Sequence, residues 1–172
     1  MAIEEPSFTL ESKNDVYEIR SYSPILVAEV YINENFDDSG SKGFRILADY
    51  IFGKSQDKPE KISMTAPVNQ IKTNEGYAIQ FTMPSKFTID SLPKTNDKRI
   101  TVKELPAKRV AVIRYSGSWS KEKYDEKLSE LKTALDKDKI KIVGEPNWAR
   151  FNSPFQLWFL RRNEIWIELE KK

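Results

Sequence analysis

The chain has 172 residues, of which 39% are hydrophobic and 31% are charged, and it contains neither histidine nor cysteine. These two absences exclude zinc sites built from Cys and His, cysteine-ligated iron–sulfur clusters, Cys–His and Ser–His–Asp catalysis, and haem ligated by either residue type. The net charge of +2, from 28 basic and 26 acidic residues, is too small to indicate a nucleic-acid surface.

The first half of the chain predicts two strands followed by a helix. Loose alternation predicts a strand over residues 16–22, and β-branched residues predict a second strand over 25–32. A turn cluster at 37–40 supplies helix caps. The helix is expected over residues 44–51, apolar round most of its circumference and ended by Gly53. Such a helix has to be covered on more than one side, by the core or by a ligand.

The remaining elements repeat this order of strands and helix. The second helix is amphipathic, with Tyr124, Leu128, Leu131 and Leu135 on one stripe and a Lys/Glu-rich opposite face. An aromatic loop at 153–160 precedes the last predicted strand. The predicted strands are 62–71, 77–83, 100–105, 109–115, 148–152 and 164–169, and the second helix is predicted at about 120–136.

The order β-β-α-β-β therefore occurs twice, and the sequence supports a repeat. A shift of 83 residues places Ile19 on Val102 and Ala28 on Ala111. The repeat predicts an α+β fold, a pseudo-two-fold (ββαββ)×2 arrangement forming a distorted eight-stranded antiparallel barrel with two helices. The predicted boundaries are a single domain over residues 1–172, with internal halves at about 16–84 and 100–169.

No segment has the features of a targeting signal or a membrane helix. Residues 1–13 carry neither a basic start nor an apolar core. The longest apolar stretch, 155–160, is interrupted by Gln156 and is far shorter than the ~18 residues that a membrane helix needs. Together with the lack of cysteine, these features predict a cytoplasmic protein without a membrane span and without a nucleic-acid partner.

Several short motifs occur in a fixed order and cover the chain from about residue 16 to 169. As an ordered set they resemble the SOUL/haem-binding protein family. The segments that carry the resemblance are YEIRSY at 17–22, GF at 43–44 through YIFG at 50–53, ISMTAPV at 62–68, FTMP at 81–84, LP at 92–93 with ND at 96–97, RVAVIRYSG at 109–117, NSP at 152–154 and RRNE at 161–164.

The resemblance implies an eight-stranded barrel related to the GyrI-like ligand-binding fold. It also implies non-covalent, non-enzymatic binding of haem or another tetrapyrrole in a shallow apolar groove between the first helix and the loop before the last strand. In this sequence the groove residues correspond to Phe44, Leu47, Ala48 and Ile51 on the helix, and to Phe155, Leu157, Trp158 and Phe159 in the loop.

The sequence departs from this family at the iron. The methionines that the animal haem-binding branch has on the first helix are absent, and so is the histidine proposed as an iron ligand in another branch. Binding is therefore expected without His or Cys axial ligation and without a protein metal site. Met64, Met83 and Tyr50 have side chains able to ligate iron, but packing in the core is the favoured role for each.

Charged residues near these segments have two interpretations each. Lys42, Arg45 and Lys54 bracket the first helix and are predicted contacts for propionates, the alternative being solvated surface cations. The cluster Arg161, Arg162 and Glu164 is expected to be an ion pair that holds the last strand and its loop.

Two other functions remain open at this stage. Glu164 at the centre of a GyrI-like fold would bind cationic ligands, or would support binding or hydrolysis of small amphipathic molecules. The groove would otherwise accept an amphipathic segment of another protein, as an interaction scaffold does.

Overall fold

The computed structural model describes residues 3–152 and 157–172. Within these residues the chain forms nine β-strands, two α-helices and one 3₁₀ turn. In chain order they are β1 (Phe8–Lys13), β2 (Glu18–Tyr22), β3 (Ile25–Ile32), α1 (Phe36–Ile51), β4 (Val68–Thr73), β5 (Gly76–Thr82), β6 (Ile100–Leu105), β7 (Lys108–Tyr115), α2 (Lys121–Lys137), β8 (Asn147–Arg150), the 3₁₀ turn (Trp158–Leu160) and β9 (Asn163–Glu168).

The elements group into two compact units. The first unit comprises the N-terminal segment up to Pro6 and residues 24–106, and the second comprises residues 7–23 and 107–172. In the first unit the antiparallel strand order is β4-β5-β3-β6, with α1 packed on β5 and β3. In the second it is β1-β2-β7-β9-β8, with α2 packed on β7 and β9. The predicted α+β class, with two helices and antiparallel strands, is confirmed.

The strand pairing reproduces the sequence repeat. In the second unit Ile19 of β2 lies opposite Ala111 of β7, and in the first unit Ala28 of β3 lies opposite Val102 of β6. These are the positions that the 83-residue shift superimposes, so the two pairings are equivalent. Each unit therefore pairs an early strand of one sequence half with an early strand of the other.

Helix α1 begins eight residues before the predicted start. Asn35 caps it by accepting a hydrogen bond from the backbone N–H of Asp38 at 2.9 Å. The negative charges of two aspartates in the first turn interact favourably with the positive end of the helix dipole. Gly53 ends it with φ +88°, as predicted. At Gly43 a Cβ would overlap the side chain of Ile79, so glycine allows α1 to lie close against β5.

Each unit contains buried apolar side chains. A cluster in the first unit includes Leu47, Tyr50, Ile51 and Ile79, each no more than 1% exposed. In the second unit α2 contributes Leu131 and Leu135, both fully buried. Its N-cap is Ser120, which agrees with the predicted start at about residue 120.

Candidate functional site

The second unit presents four consecutive large apolar side chains to solvent. Leu157, Trp158, Phe159 and Leu160 are between 53% and 61% exposed, and the last three form the 3₁₀ turn before β9. The rings of Trp158 and Phe159 meet edge to face, with centroids 5.6 Å apart. Single exposed apolar residues are ordinary on protein surfaces, whereas a contiguous set indicates a binding surface. We call residues 157–160 the apolar turn.

Two arginines follow the apolar turn directly. The guanidinium carbon of Arg161 lies 4.2 Å from the ring centre of Trp119, and that of Arg162 lies 3.8 Å from the ring of Phe151. Stacking of this kind holds each cation over an aromatic face. The predicted contacts Leu157, Trp158 and Phe159 thus adjoin fixed positive charge. Phe155, also predicted, lies outside the described residues.

The predicted contacts on α1 divide between the surface and the core of the first unit. Phe44 is 38% exposed and packs edge to face on Phe81, and Ala48 is half-buried. Leu47 and Ile51 belong to the core, with exposed fractions of 0% and 1%. On this helix Phe44 therefore presents the largest exposed apolar area of the predicted set.

The three predicted propionate contacts also differ in their surroundings. Lys42 forms an ion pair with Glu34, and Lys54 lies 3.3 Å from Asp49. Arg45 has no ion-pair partner among residues 3–152 and 157–172. Lys42 and Arg45 line a cavity of about 520 Å³ in the first unit, together with Tyr31, Ile32, Asn33, Glu34, Ile46, Asp49 and Arg99.

Glu164 is fully buried and forms a bidentate ion pair with Arg20. The two guanidinium nitrogens of Arg20 donate to the two carboxylate oxygens at 2.9 and 3.0 Å. Trp166 Nε1 also donates to Oε1 at 2.9 Å, whereas Arg162 lies 3.4 Å from Oε2. The predicted ion pair with Arg162 is present but secondary, and Arg161 stacks on Trp119 instead.

The surroundings in this cluster shift the pKa values of Arg20 and Tyr22. Burial alone would lower the pKa of Arg20, but hydrogen bonds and charge from Glu164 outweigh it and raise that pKa above its ordinary value. Burial raises the pKa of Tyr22 to about 12, against the opposing effect of Arg20. The cluster is thus an ion pair between Arg20 and Glu164 that Tyr22 and Trp166 surround and hydrogen-bond.

Arg20 is the residue of this cluster that the sequence did not indicate. It is 2% exposed and lies 144 positions from its partner in the chain. The sequence did carry one indication, the alternation of side chains along a strand. Glu18, Arg20 and Tyr22 share one face of β2, and all three make contacts in this cluster.

A family model described as SOUL heme-binding protein matches residues 3–168. The chain belongs to the SOUL haem-binding family. This confirms the resemblance carried by the ordered motifs, and it places the protein among ligand-binding proteins. No curated protein sequence matches the chain.

Solved structures similar to this SOUL-family protein have the GyrI-like fold. The C-terminal domain of EcmrR has a TM-score of 0.62 at 11% identity, covering 91% of this chain and 98% of that domain. A hydrolase from Listeria innocua has a TM-score of 0.62 at 8% identity, covering 93% and 94%. SAV2435 bound to tetraphenylphosphonium has a TM-score of 0.53 at 11% identity, covering 90% and 93%. At these identities the similarity establishes the fold alone.

The side chains able to ligate iron do not fit that role in this SOUL-family chain. Met83 is 3% exposed, and Met64 packs against the core of the first unit. Tyr50 is fully buried and donates its hydroxyl proton to the backbone oxygen of Pro93 at 2.6 Å. Across the described residues no group of three or more His, Cys, Asp or Glu residues lies close enough to hold a metal ion. For Met64, Met83 and Tyr50 these surroundings favour packing in the core over iron ligation.

Tyr50 is expected to make stability fall in alkaline solution. Burial raises its pKa to about 12 in the folded protein, from an ordinary value of 10.0. The stabilisation is fully present below the unfolded pKa and is lost as the pH rises through the folded one, here from 10 to about 12. Tyr50→Phe should lose less stability across that interval in urea denaturation, although it starts lower because the bond to Pro93 is absent.

Tyr31→Phe is the matched control, because Tyr31 is 49% exposed. Its stability should fall between pH 10 and about 12 as the wild type does. If Tyr50→Phe falls as steeply as the wild type and Tyr31→Phe, Tyr50 does not titrate as stated.

Proposed function

We propose that this SOUL-family protein binds haem or another tetrapyrrole non-covalently, without catalysing a reaction, and that the macrocycle lies on the apolar turn. The observation that carries the proposal is the contiguous exposure of Leu157, Trp158, Phe159 and Leu160. A flat, largely apolar ligand gains most from a surface of adjacent aromatic and aliphatic side chains.

The expected affinity follows from area. Burying roughly 400 Å² of apolar surface gives about 10 kcal/mol at about 25 cal/mol/Å². Association costs several kcal/mol, so the net gain corresponds to micromolar binding or weaker. Iron coordination is not needed to reach that range, which agrees with the lack of His and Cys in the chain.

The carboxylates of the ligand require basic partners. Arg161 adjoins the apolar turn and is held on Trp119, so we assign it the first propionate contact. Lys42, Arg45 and Lys54 remain predicted contacts, and Arg45 is the strongest of them because Lys42 and Lys54 already have acidic partners. Phe44 and Ala48 remain predicted apolar contacts from α1.

A non-enzymatic role is supported by the state of Glu164. Both of its oxygens accept hydrogen bonds from Arg20, and one also accepts from Trp166. A cationic ligand approaching Glu164 would have to displace Arg20, and a general base would have to give up a buried counter-ion. These contacts favour a structural role for Glu164 over the cation-binding and hydrolytic alternatives.

The location of the protein in the cell is predicted from the sequence alone. No helix in the described part of the chain is long and apolar enough to cross a membrane. A cytoplasmic location and the absence of a nucleic-acid partner remain predictions from the composition.

Replacing Trp158 or Phe159 by Ser is predicted to weaken porphyrin binding by about tenfold, since each change removes part of the about 1.5–3 kcal/mol that full burial of such a side chain gives. Both side chains are more than half exposed, so the free energy of unfolding should be nearly unchanged. Titration with protoporphyrin, followed by absorbance and tryptophan quenching, measures the affinity. In the Trp158 variant only absorbance is used.

Phe52→Ser is the matched control, because Phe52 is 54% exposed and Phe159 is 53% exposed. Its affinity should equal that of the wild type. Equal weakening in the control, or unchanged affinity in both turn variants, would contradict the placement of the ligand on the apolar turn.

A further inference from the structure

A second concave site lies in the second unit, at the start of β7. Its volume is about 260 Å³, and its lining includes Glu11, Tyr22, Lys108, Arg109, Lys171 and Lys172. This volume is below the usual range for drug-sized ligands, so the cleft suits a small group and not a tetrapyrrole. We call it the basic cleft.

The charges of the basic cleft do not balance. Among its lining residues, four are cations and one, Glu11, is an anion. Glu11 is already engaged, because Arg109 Nε donates to it at 2.7 Å and Lys172 lies 3.5 Å away. Lys108 and Lys171 have no carboxylate within ion-pair distance in the described part of the chain. The cleft thus holds an excess of positive charge with two cations available to a ligand.

Lys108 is the more unusual of these two cations. It is half-buried, and its Nζ lies 5.6 Å from the ring centre of Trp166. The ring of Tyr22 stacks on Trp166 at 4.6 Å, so aromatic surface adjoins the ammonium group. Burial lowers the pKa of Lys108, and the charge of Glu168 opposes this only in part. A partly buried cation that has no carboxylate within ion-pair distance gains from a bound anion.

We propose that the basic cleft binds the phosphate group of a small anionic molecule, through Lys108 and Lys171. A dianion matches the surplus charge better than a single carboxylate does, and a phosphate fits the volume. The ring of Tyr22 lines the site and stacks on the buried ring of Trp166. This inference is independent of tetrapyrrole binding, which uses the apolar turn.

Inorganic pyrophosphate is the probe, and calorimetric titration of the whole chain at neutral pH is the measurement. We expect saturable binding that Lys108→Met and Lys171→Met each weaken by about fivefold or more. Methionine keeps much of the apolar length of lysine and removes the charge. Lys132→Met, on the exposed face of α2, is the control and should bind as the wild type does.

The outcomes separate clearly. Absence of saturable binding in the wild type, or equal weakening by the Lys132 control, overturns the proposal. If Lys108→Met loses its fold by circular dichroism, the exposed Lys171→Met carries the test alone. Sedimentation with phosphatidylcholine vesicles, with and without phosphatidic acid, tests a lipid source of the phosphate. Retention on phosphatidic acid that pyrophosphate does not displace would also overturn it.

Discussion

Replacing Arg20 by Met is expected to lower the free energy of unfolding by about 3–5 kcal/mol, because a buried carboxylate would lose its main counter-ion. The side chains of Arg20 and Glu164 are 3% and 0% exposed, so water compensates for neither charge. Arg162, at 3.4 Å from Glu164 Oε2, is a weaker substitute and places the expected loss near the lower end. Urea denaturation followed by far-UV circular dichroism measures the change.

Two further variants show whether the loss comes from the unpaired charge. The double change Arg20→Met with Glu164→Met should recover much of the stability, since well-packed apolar residues often replace a buried ion pair at little cost. Arg99→Met breaks a surface pair in which Arg99 is 64% exposed and its Nη2 lies 2.7 Å from Asp97, and it should cost about 1 kcal/mol. An Arg20→Met loss as small as that of Arg99→Met would contradict the buried-pair account.

Leu47→Ala is expected to cost about 2–5 kcal/mol, because it leaves a cavity in the core of the first unit. Leu47 is fully buried there, next to Tyr50 and Ile51. Phe44→Ala should cost clearly less, since that ring is 38% exposed and one side of it contacts Phe81. Urea denaturation of both variants, with equal slopes against denaturant, measures the two losses.

The same variants test the predicted contacts of α1. Phe44→Ala should weaken protoporphyrin binding while the chain stays folded. Leu47→Ala should reduce binding only by lowering the fraction of folded protein. Leu131→Ala, fully buried on α2, is the matched core control and should leave the affinity of the folded fraction unchanged. Unchanged affinity for Phe44→Ala would remove α1 from the binding surface.

Local signals predicted most of the fold. The end of α1 at Gly53 and the start of α2 near residue 120 were both predicted. Glycine tolerates positive φ at the first boundary, and the Ser120 side chain accepts from a free N–H group at the second. The predicted start of α1 was wrong, since Asn35 and not the 37–40 cluster provides the cap. Strand β1 was missed because all six of its side chains are exposed, leaving no inward-facing alternation to detect.

The site was harder to predict because its contacts join distant parts of the chain. Arg20 meets Glu164 only through the antiparallel register in which β2 pairs with β7 and β7 pairs with β9. No local pattern encodes that register. The resemblance to the family pointed to Leu157, Trp158 and Phe159 of the apolar turn but not to Leu160. The exposure of these side chains is observed, whereas ligand contact there remains a prediction.

The most direct test of the central claim compares haemin with metal-free protoporphyrin on the untagged protein. If apolar contact holds the macrocycle and iron is not coordinated by the chain, the two dissociation constants should agree within about threefold, a difference of less than 1 kcal/mol. The haemin complex should show no spectrum of His or Cys ligation. Haemin binding about a hundredfold tighter than metal-free protoporphyrin, or a low-spin spectrum typical of bis-nitrogen ligation, would contradict it.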